Sequence, residues 1–279
     1  MMSAPDTKTI AILWHQLQQQ QAERARASYM ISHYAEFWRE DGHQIINIYG
    51  TDRFIPADLL IVHIDLSVVP DEYLKFATRY PIVLNGKIRD IRKSTVSTLR
   101  VLASDPWPGP VIVKSNLNFA GIPERRLNAV PPTTRLMGSP NDYRVFERIA
   151  AVPHMIWTNP NVVVERFMPQ IEQGEYVIHN MVFLGERATC TKNFSTQPVV
   201  HAYNQTRSSW VEPHPEVLAL RKQLGFDMGK FDYVIHDGKP VVFDTNKTVG
   251  APPGAASPEQ RKVRRQRAEG LYAYFEQRS

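Results

Sequence analysis

The chain has one cysteine, Cys190, in 279 residues, so no intrachain disulfide and no multi-cysteine metal site can form, as in proteins of a reducing compartment. Cys190 reads as a small buried residue. Long apolar runs are also missing. No segment approaches the ~20 residues of a membrane span, and Met1 to Thr9 holds no basic stretch leading into an apolar core. The expectation is a cytoplasmic protein with no membrane partner. The nine histidines show no HExxH or comparable spacing, which argues against zinc. No Ser-His-Asp or Cys-His arrangement suggests a protein nucleophile.

What is present is ordinary soluble-protein composition, 43% apolar and 22% charged, which excludes a disordered chain or a fibrous repeat. The length allows one large domain or two smaller ones. A net charge of +5 would suit a polyanion, but it equally suits an enzyme that handles nucleotides, so no nucleic-acid partner is expected.

Along the chain, Thr9 to Trp14 reads as a strand and Gln20 to Asp41 as a helix, with Met30, Tyr34, Phe37 and Trp38 at helical spacing. The glutamines Gln18 to Gln21 are expected to open that helix. Strands at Gln44 to Ile48, Asp58 to Ile64 and Pro81 to Leu84, with a helical pattern over Val69 to Tyr80, predict a doubly wound parallel sheet. The Pro- and Gly-rich SDPWPGP, Ser104 to Pro110, marks a hinge, giving an N-terminal domain over 1–103 and a second over 104–279. Beyond it the pattern changes. Val111 to Lys114, Val162 to Phe167, Glu175 to Leu184 and Arg187 to Phe194 read as strands with antiparallel neighbours, and Asn128 to Asp142 as a polar, Pro-rich loop. The final basic run, Arg261 to Arg267, reads as a solvated helix face.

Three segments carry chemistry. In FDYVIHDGKPVVFDTN, Phe231 to Asn246, two apolar runs flank a turn, and Asp232, Asp244 and Asn246 are oxygen donors of the kind Mg²⁺ takes one or two at a time, with phosphates completing its shell. Alternation puts Asp244 and Asn246 on one face. A two-residue Asp237-Gly238 turn would set Asp232 opposite Phe243, on the wrong face. A three-residue loop would set it opposite Val242, and all three would converge. In VIVKSNLNFAG, Val111 to Gly121, Lys114 ends a strand before a loop of small and amide residues, an arrangement suited to phosphates but not of Walker type. In NVVVERFMPQIEQGEYVIHNMVF, Asn161 to Phe183, one strand runs through Glu165-Arg166-Phe167-Met168 into another beginning at Glu175. Such a hinge can receive a flat base, with Phe167 and Met168 supplying apolar contact and Glu175 reaching ribose hydroxyls. Read singly, these segments also fit a surface hairpin, a strand-capping lysine and a core strand with solvated acids.

In this order and with these contents, the three segments resemble the ATP-grasp superfamily, which includes D-alanine ligase and glutathione synthetase. The resemblance spans roughly Pro110 to Gly254 and implies an α/β (α+β) chain, an ATP-grasp fold preceded by a doubly wound parallel α/β domain. It implies ATP and Mg²⁺ as cofactors, and small-molecule carboxylate and amine substrates. It implies phosphate binding by Lys114, adenine contacts by Glu165 and Phe167, and ribose contact by Glu175. Asp232, Asp244 and Asn246 would ligate Mg²⁺, and Lys230, where arginine is common, would steady the transferring phosphoryl group. An earlier phosphate-binding lysine is usual; Lys93 takes that place but lies closer to Lys114 than is typical, which implies a shortened nucleotide lobe. The implied activity is ATP-dependent carboxylate-amine ligation; a kinase outcome or nucleotide binding without catalysis would use the same site. Asp65, Asn85 and Arg89 are candidate substrate contacts in the N-terminal domain.

Overall fold

The computed structural model describes residues 7–20, 28–131, 134, 142–251 and 256–276. Four strands, β1 (Thr9–Trp14), β2 (Gln44–Tyr49), β3 (Leu59–Val62) and β4 (Val83–Leu84), form a wholly parallel sheet in the order β2-β1-β3-β4. Alternation along β1 divides its side chains between two cores. Ile10, Ile12 and Trp14 pack with helix α1 (Met30–Glu40), while Ala11 and Leu13 share the opposite face with helix α2 (Asp71–Ala77). The sheet is therefore covered on both faces, which is why its central strands β1 and β3 are almost wholly apolar, whereas edge strand β2 keeps Gln44 and Asn47 exposed.

The glutamines do not open α1 as expected. Gln16–Gln18 forms a 3-10 turn in which the buried Gln18 side chain accepts from the His15 N–H at 3.1 Å. This local pairing of side chain with backbone competes with helix formation, and residues 21–27 lie outside the described set.

A short helix, α3 (Lys93–Val96), precedes a three-stranded antiparallel sheet in which β5 (Val111–Ser115) lies between β6 (Arg144–Phe146) and β7 (Val162–Arg166). Helix α4 (Ile122–Arg126) follows β5 and α5 (His154–Trp157) precedes β7. Most of the expected loop from Asn128 to Asp142 lies outside the described residues. Residues just ahead of SDPWPGP already join this sheet, since the Val101 N–H donates to the Val164 carbonyl at 2.9 Å and the Arg166 N–H to the Leu99 carbonyl at 2.8 Å.

Six strands make the second antiparallel sheet: β8 (Gln170–Glu172), β9 (Glu175–Leu184), β10 (Arg187–Ser195), β11 (Arg207–Val211), β12 (Met228–His236) and β13 (Lys239–Asn246). The order is β11-β10-β9-β12-β13, with β8 on β9. Helix α6 (Pro215–Gln223) covers one face through Val217, against Phe183 and Phe231. The other face is turned towards the three-stranded sheet across a cleft.

The basic run forms helix α7 (Pro258–Ala268), which is solvated at Arg261, Lys262 and Gln266 but not throughout. Arg264 and Arg267 are buried, and Arg261 and Arg265 pair with Glu40 and Asp41 of the chain around α1. The Trp38 indole donates to the Ala268 carbonyl at 2.9 Å. The acids at the end of α1, unremarkable by themselves, answer two of the run's five cations. Close approach completes the docking: a Cβ at Gly270 would lie 1.9 Å from the Leu184 carbonyl oxygen. No helix among the described residues is long and apolar enough to cross a membrane.

Asn85, a candidate substrate contact from sequence, instead ties the parallel sheet to β12. Buried and at a φ of 58°, it accepts from the N–H groups of Asp227 and Met228, each at 3.0 Å, and donates to the Met228 carbonyl at 2.9 Å. Arg89 pairs on the surface with Asp71 at 3.0 Å. Asn85→Ala leaves three buried backbone groups without partners and should cost roughly 3 kcal/mol, read from the urea unfolding midpoint.

His63 is fully buried between Trp14 and Tyr29, and neither ring nitrogen has a hydrogen-bond partner among the described residues. Burial pushes its pKa from 6.5 down to about 4, against the pull of Asp65. The unfolded state therefore binds the proton more readily, and stability present above pH 6.5 is lost as pH falls towards 4, by roughly 3 kcal/mol. Unfolding midpoints measured across that window should fall less steeply in His63→Leu than in the wild type.

Candidate active site

The site grows from the β12–β13 hairpin. Asp237 (φ 50°) and Gly238 (φ 75°) both lie in the left-handed region, giving the two-residue turn that pairs His236 with Lys239. Carried on without interruption, that register would set Asp232 opposite Phe243. The structure contains a bulge instead: Tyr233 pairs with Val242, but Asp232 pairs with Asp244, leaving Phe243 as the extra residue. Neither simple register applies, and the donors converge because the bulge shifts β13 by one residue. Lys230 lies opposite Asn246, so Lys230, Asp232, Asp244 and Asn246 share one face of the hairpin.

Across the cleft, Lys114 on β5 and Glu165 on β7 face the hairpin, while Val111, Val113 and Val164 turn into the core behind. Lys93 arrives from α3, whose start is bound to the loop after β5: the Lys93 N–H donates to the Asn116 carbonyl at 3.1 Å and the Ser94 N–H to the Asn116 side chain at 2.9 Å. The small separation of the two lysines in sequence thus does not keep Lys93 from the cleft.

The charges meet in pairs. Lys93 Nζ lies 3.0 Å from Asp244 Oδ1, Lys114 Nζ 2.5 Å from Glu165 Oε2, and Lys230 Nζ 2.9 Å from Asp232 Oδ2. Lys114 also donates to the carbonyl of the bulge residue Phe243 at 3.2 Å. A relay steadies Asp232: Ser208 donates to Asn193 at 2.7 Å, Asn193 to Asn180 at 2.6 Å, and Asn180 to Asp232 Oδ1 at 2.6 Å. Burial alone would raise the Asp244 carboxyl, but Lys93, Lys114 and Lys230 outweigh it and hold the group below the usual carboxylate range. Asp232 goes the other way, because burial and the neighbouring charge of Asp244 prevail over Lys230. Burial disfavours the charged forms of Lys93 and Lys230, yet their aspartate partners raise both.

Phe167 and Met168 line the same cleft, which encloses about 270 Å³. Glu165 is wholly buried, and its Oε1 accepts no hydrogen bond among the described residues. Glu175 is not brought to the site. The alternation that turns Tyr176, Ile178 and Asn180 into the cleft turns Glu175 away, and its carboxylate accepts from Thr206 at 2.5 Å and Arg207 at 2.9 Å.

A second cavity of about 420 Å³ adjoins the first and shares Lys93, Lys230, Asp244, Tyr143 and His201 with it; Asn246 lines this one. Tyr143 and His201 stack at 5.3 Å between ring centroids. Burial pushes the Tyr143 phenol up to about 12, with Lys93 opposing. Sequence reasoning missed Asn180, Tyr143, His201 and Arg126 at the site. Asn180 could have been found, since it lies on the strand face opposite to Glu175; the others come from loops and a short helix without a motif.

Among the described residues no three His, Cys, Asp or Glu side chains gather as a metal site. Two carboxylates and an amide fit Mg²⁺, which keeps much of its shell for water and phosphate oxygens.

No protein-family model matches the chain, and no curated protein matches it in sequence. Among solved structures it is similar to D-alanine–D-alanine ligase from Bacillus anthracis, with a TM-score of 0.50 and 12% identity over 98% of this chain and 100% of that one. It is also similar to the ATP-grasp ligase PsnB, complexed with minimal precursor, Mg and ADP, with a TM-score of 0.52 and 12% identity over 95% and 96% of the two chains. The parallel sheet, the two antiparallel sheets around one cleft and this full-length likeness lead to one conclusion: the chain has the ATP-grasp fold.

Proposed function

We propose that the chain is an ATP-dependent ligase that activates a carboxylate as an acylphosphate for attack by an amine or similar nucleophile. The observation that carries this reading is the gathering of Lys93, Lys114, Lys230, Asp232 and Asp244 around one cleft between two sheets, with Asn246 beside them. A polyphosphate suits the three lysines, whose carboxylate partners could then turn to a divalent ion. The uncommitted Oε1 of Glu165 suits the exocyclic amine of adenine, with Phe167 and Met168 against the ring. Glu175 has no part in this reading, because its side chain is held on the other face.

Asp232, Asp244 and Asn246 would hold Mg²⁺, which when bound supplies charge neutralisation between the phosphate oxygens. Lys93 and Lys114 would orient the nucleotide, and Lys230 would stabilise charge on the phosphoryl group in transfer. A substrate carboxylate oxygen attacks the γ-phosphorus as ADP leaves; the amine then displaces phosphate from the acyl carbon, so that acid, amine and ATP give amide, ADP and phosphate. Such a step needs positioning and electrostatics rather than a protein nucleophile.

Titration calorimetry with ATP should show binding that depends on Mg²⁺ in the wild type and loses that dependence in Asp244→Asn, with turnover falling at least about 100-fold and the circular dichroism spectrum unchanged. A mutant that still binds and turns over ATP in a Mg-dependent way would exclude the metal assignment. With a competent acid and hydroxylamine in place of the amine, the product should be a hydroxamate; a stable phosphoester would assign the site to a kinase.

A further inference from the structure

The second cavity lies where a doubly wound sheet presents its ligand crevice. In the order β2-β1-β3-β4 successive strands are added first to one side of β1 and then to the other, so the strand order reverses between β1 and β3, and ligands of open parallel sheets sit beyond the carboxyl ends of strands at such a point. Tyr29, at the start of α1, and Asp65, just after β3, both line the cavity.

Asp65 is buried, and its charge is already answered. Oδ1 accepts from the Thr248 hydroxyl at 2.7 Å; Oδ2 accepts from the Tyr29 hydroxyl at 2.6 Å and from Arg126 Nη2 at 2.7 Å. Arg126 Nη2 also donates to the Tyr29 oxygen at 2.7 Å. These bonds fix the guanidinium plane through one nitrogen, and among the described residues Nη1 and Nε carry no hydrogen bond. With 37% of its side chain exposed, Arg126 lines the cavity that Lys230, Asp244 and Asn246 also border, its guanidinium held in place by Asp65 and Tyr29. Nη2 is common to both two-nitrogen edges of the guanidinium and is already engaged, so a carboxylate takes single charge-assisted hydrogen bonds from Nη1 or Nε.

The same cavity has an apolar rim. Phe119 and Ile122 are 59% and 42% exposed. Phe119 stands on a backbone at φ 46°, followed by Ala120 at 55° and Gly121 at 76°, a left-handed run that non-glycine residues seldom adopt.

Resting on the ligase reading above, we infer that this cavity is the acid-substrate site. It takes a carboxylic acid with an apolar or aromatic body, its carboxylate on Arg126 and its body against Phe119 and Ile122. Arg126 is the specificity-determining residue, and Asp65, Tyr29 and Thr248 position it. An amine substrate would find both bordering aspartates engaged, Asp65 by three donors and Asp244 by Lys93.

The test uses ligand-observed saturation-transfer NMR on the full chain without nucleotide or Mg²⁺, with 3-phenylpropionate, its amide and phenethylamine as probes. ATP binding is measured separately by calorimetry. The wild type should bind the acid, and neither the amide nor the amine comparably. R126Q should weaken acid binding at least about ten-fold. F119S, a surface change that does not threaten the fold, should weaken it about three- to ten-fold. ATP binding should be unaltered in both. Equal binding of acid and amide, preference for the amine, R126Q indistinguishable from the wild type, or no acid binding by a wild type that binds ATP would each overturn the assignment. Loss of ATP binding alongside Arg126-dependent acid binding would overturn the Mg-ATP reading and leave the acid site standing.

Discussion

The arrangement rests on an exact matching of charge inside one cleft. Three lysines meet three carboxylates there, and the Lys93 and Lys114 side chains are each only 6% exposed. Two of the pairs join elements distant in sequence, α3 to β13 and β5 to β7, while the third links two positions of β12. Removing one partner would leave a charge stranded in a low-dielectric setting, which is far costlier than the pair is favourable. The pairs therefore contribute less to net stability than to geometry. The Lys93–Asp244 pair and the bond from Lys114 to the Phe243 carbonyl cross the cleft, so that cations and acids face a common space, and a polyanionic ligand can exchange for the carboxylates without leaving any lysine unanswered.

That matching depends on a local irregularity. The hairpin turn is the short one its Asp-Gly sequence favours, and by itself it would have turned Asp232 out of the cleft. The bulge at Phe243 restores the face and presents a carbonyl to Lys114. One extra residue in β13 thus aligns the acids and supplies an anchor across the cleft. The relay through Asn180, Asn193 and Ser208 then fixes Asp232 from the sheet behind.

The parallel sheet is not a separate appendage. Asn85 binds the backbone of β12, and α7 completes the core over β1 and α1. Lys247, fully buried, donates to the Leu66 carbonyl, and burial pushes its pKa down to about 8 despite Asp65 and Glu124 nearby. These contacts fix the loop after β3 against the end of β13, so the second cavity has walls from both parts of the chain.

Periodicity and residue type were enough to place the parallel strands and the helices described in the N-terminal part and the antiparallel strands after SDPWPGP, and to name the lysines, acids and amide that line the cleft as candidates. The reason is physical: a strand's faces follow from its two-residue repeat and a buried helix from its apolar stripe, both local properties. The site's register was not local. The bulge at Phe243 occurs together with the pairing of Asp232 with Asn180 on β9 and of Lys114 with the Phe243 carbonyl, partners that lie far apart along the chain. The same holds for Glu175, which suits a ribose by type but faces the wrong way by parity, and for α7, where Arg264 and Arg267 are buried while Arg261 and Arg265 meet Glu40 and Asp41. Sequence determined which groups were available; only the tertiary structure, by bringing distant strands into register, decided which of them share a space.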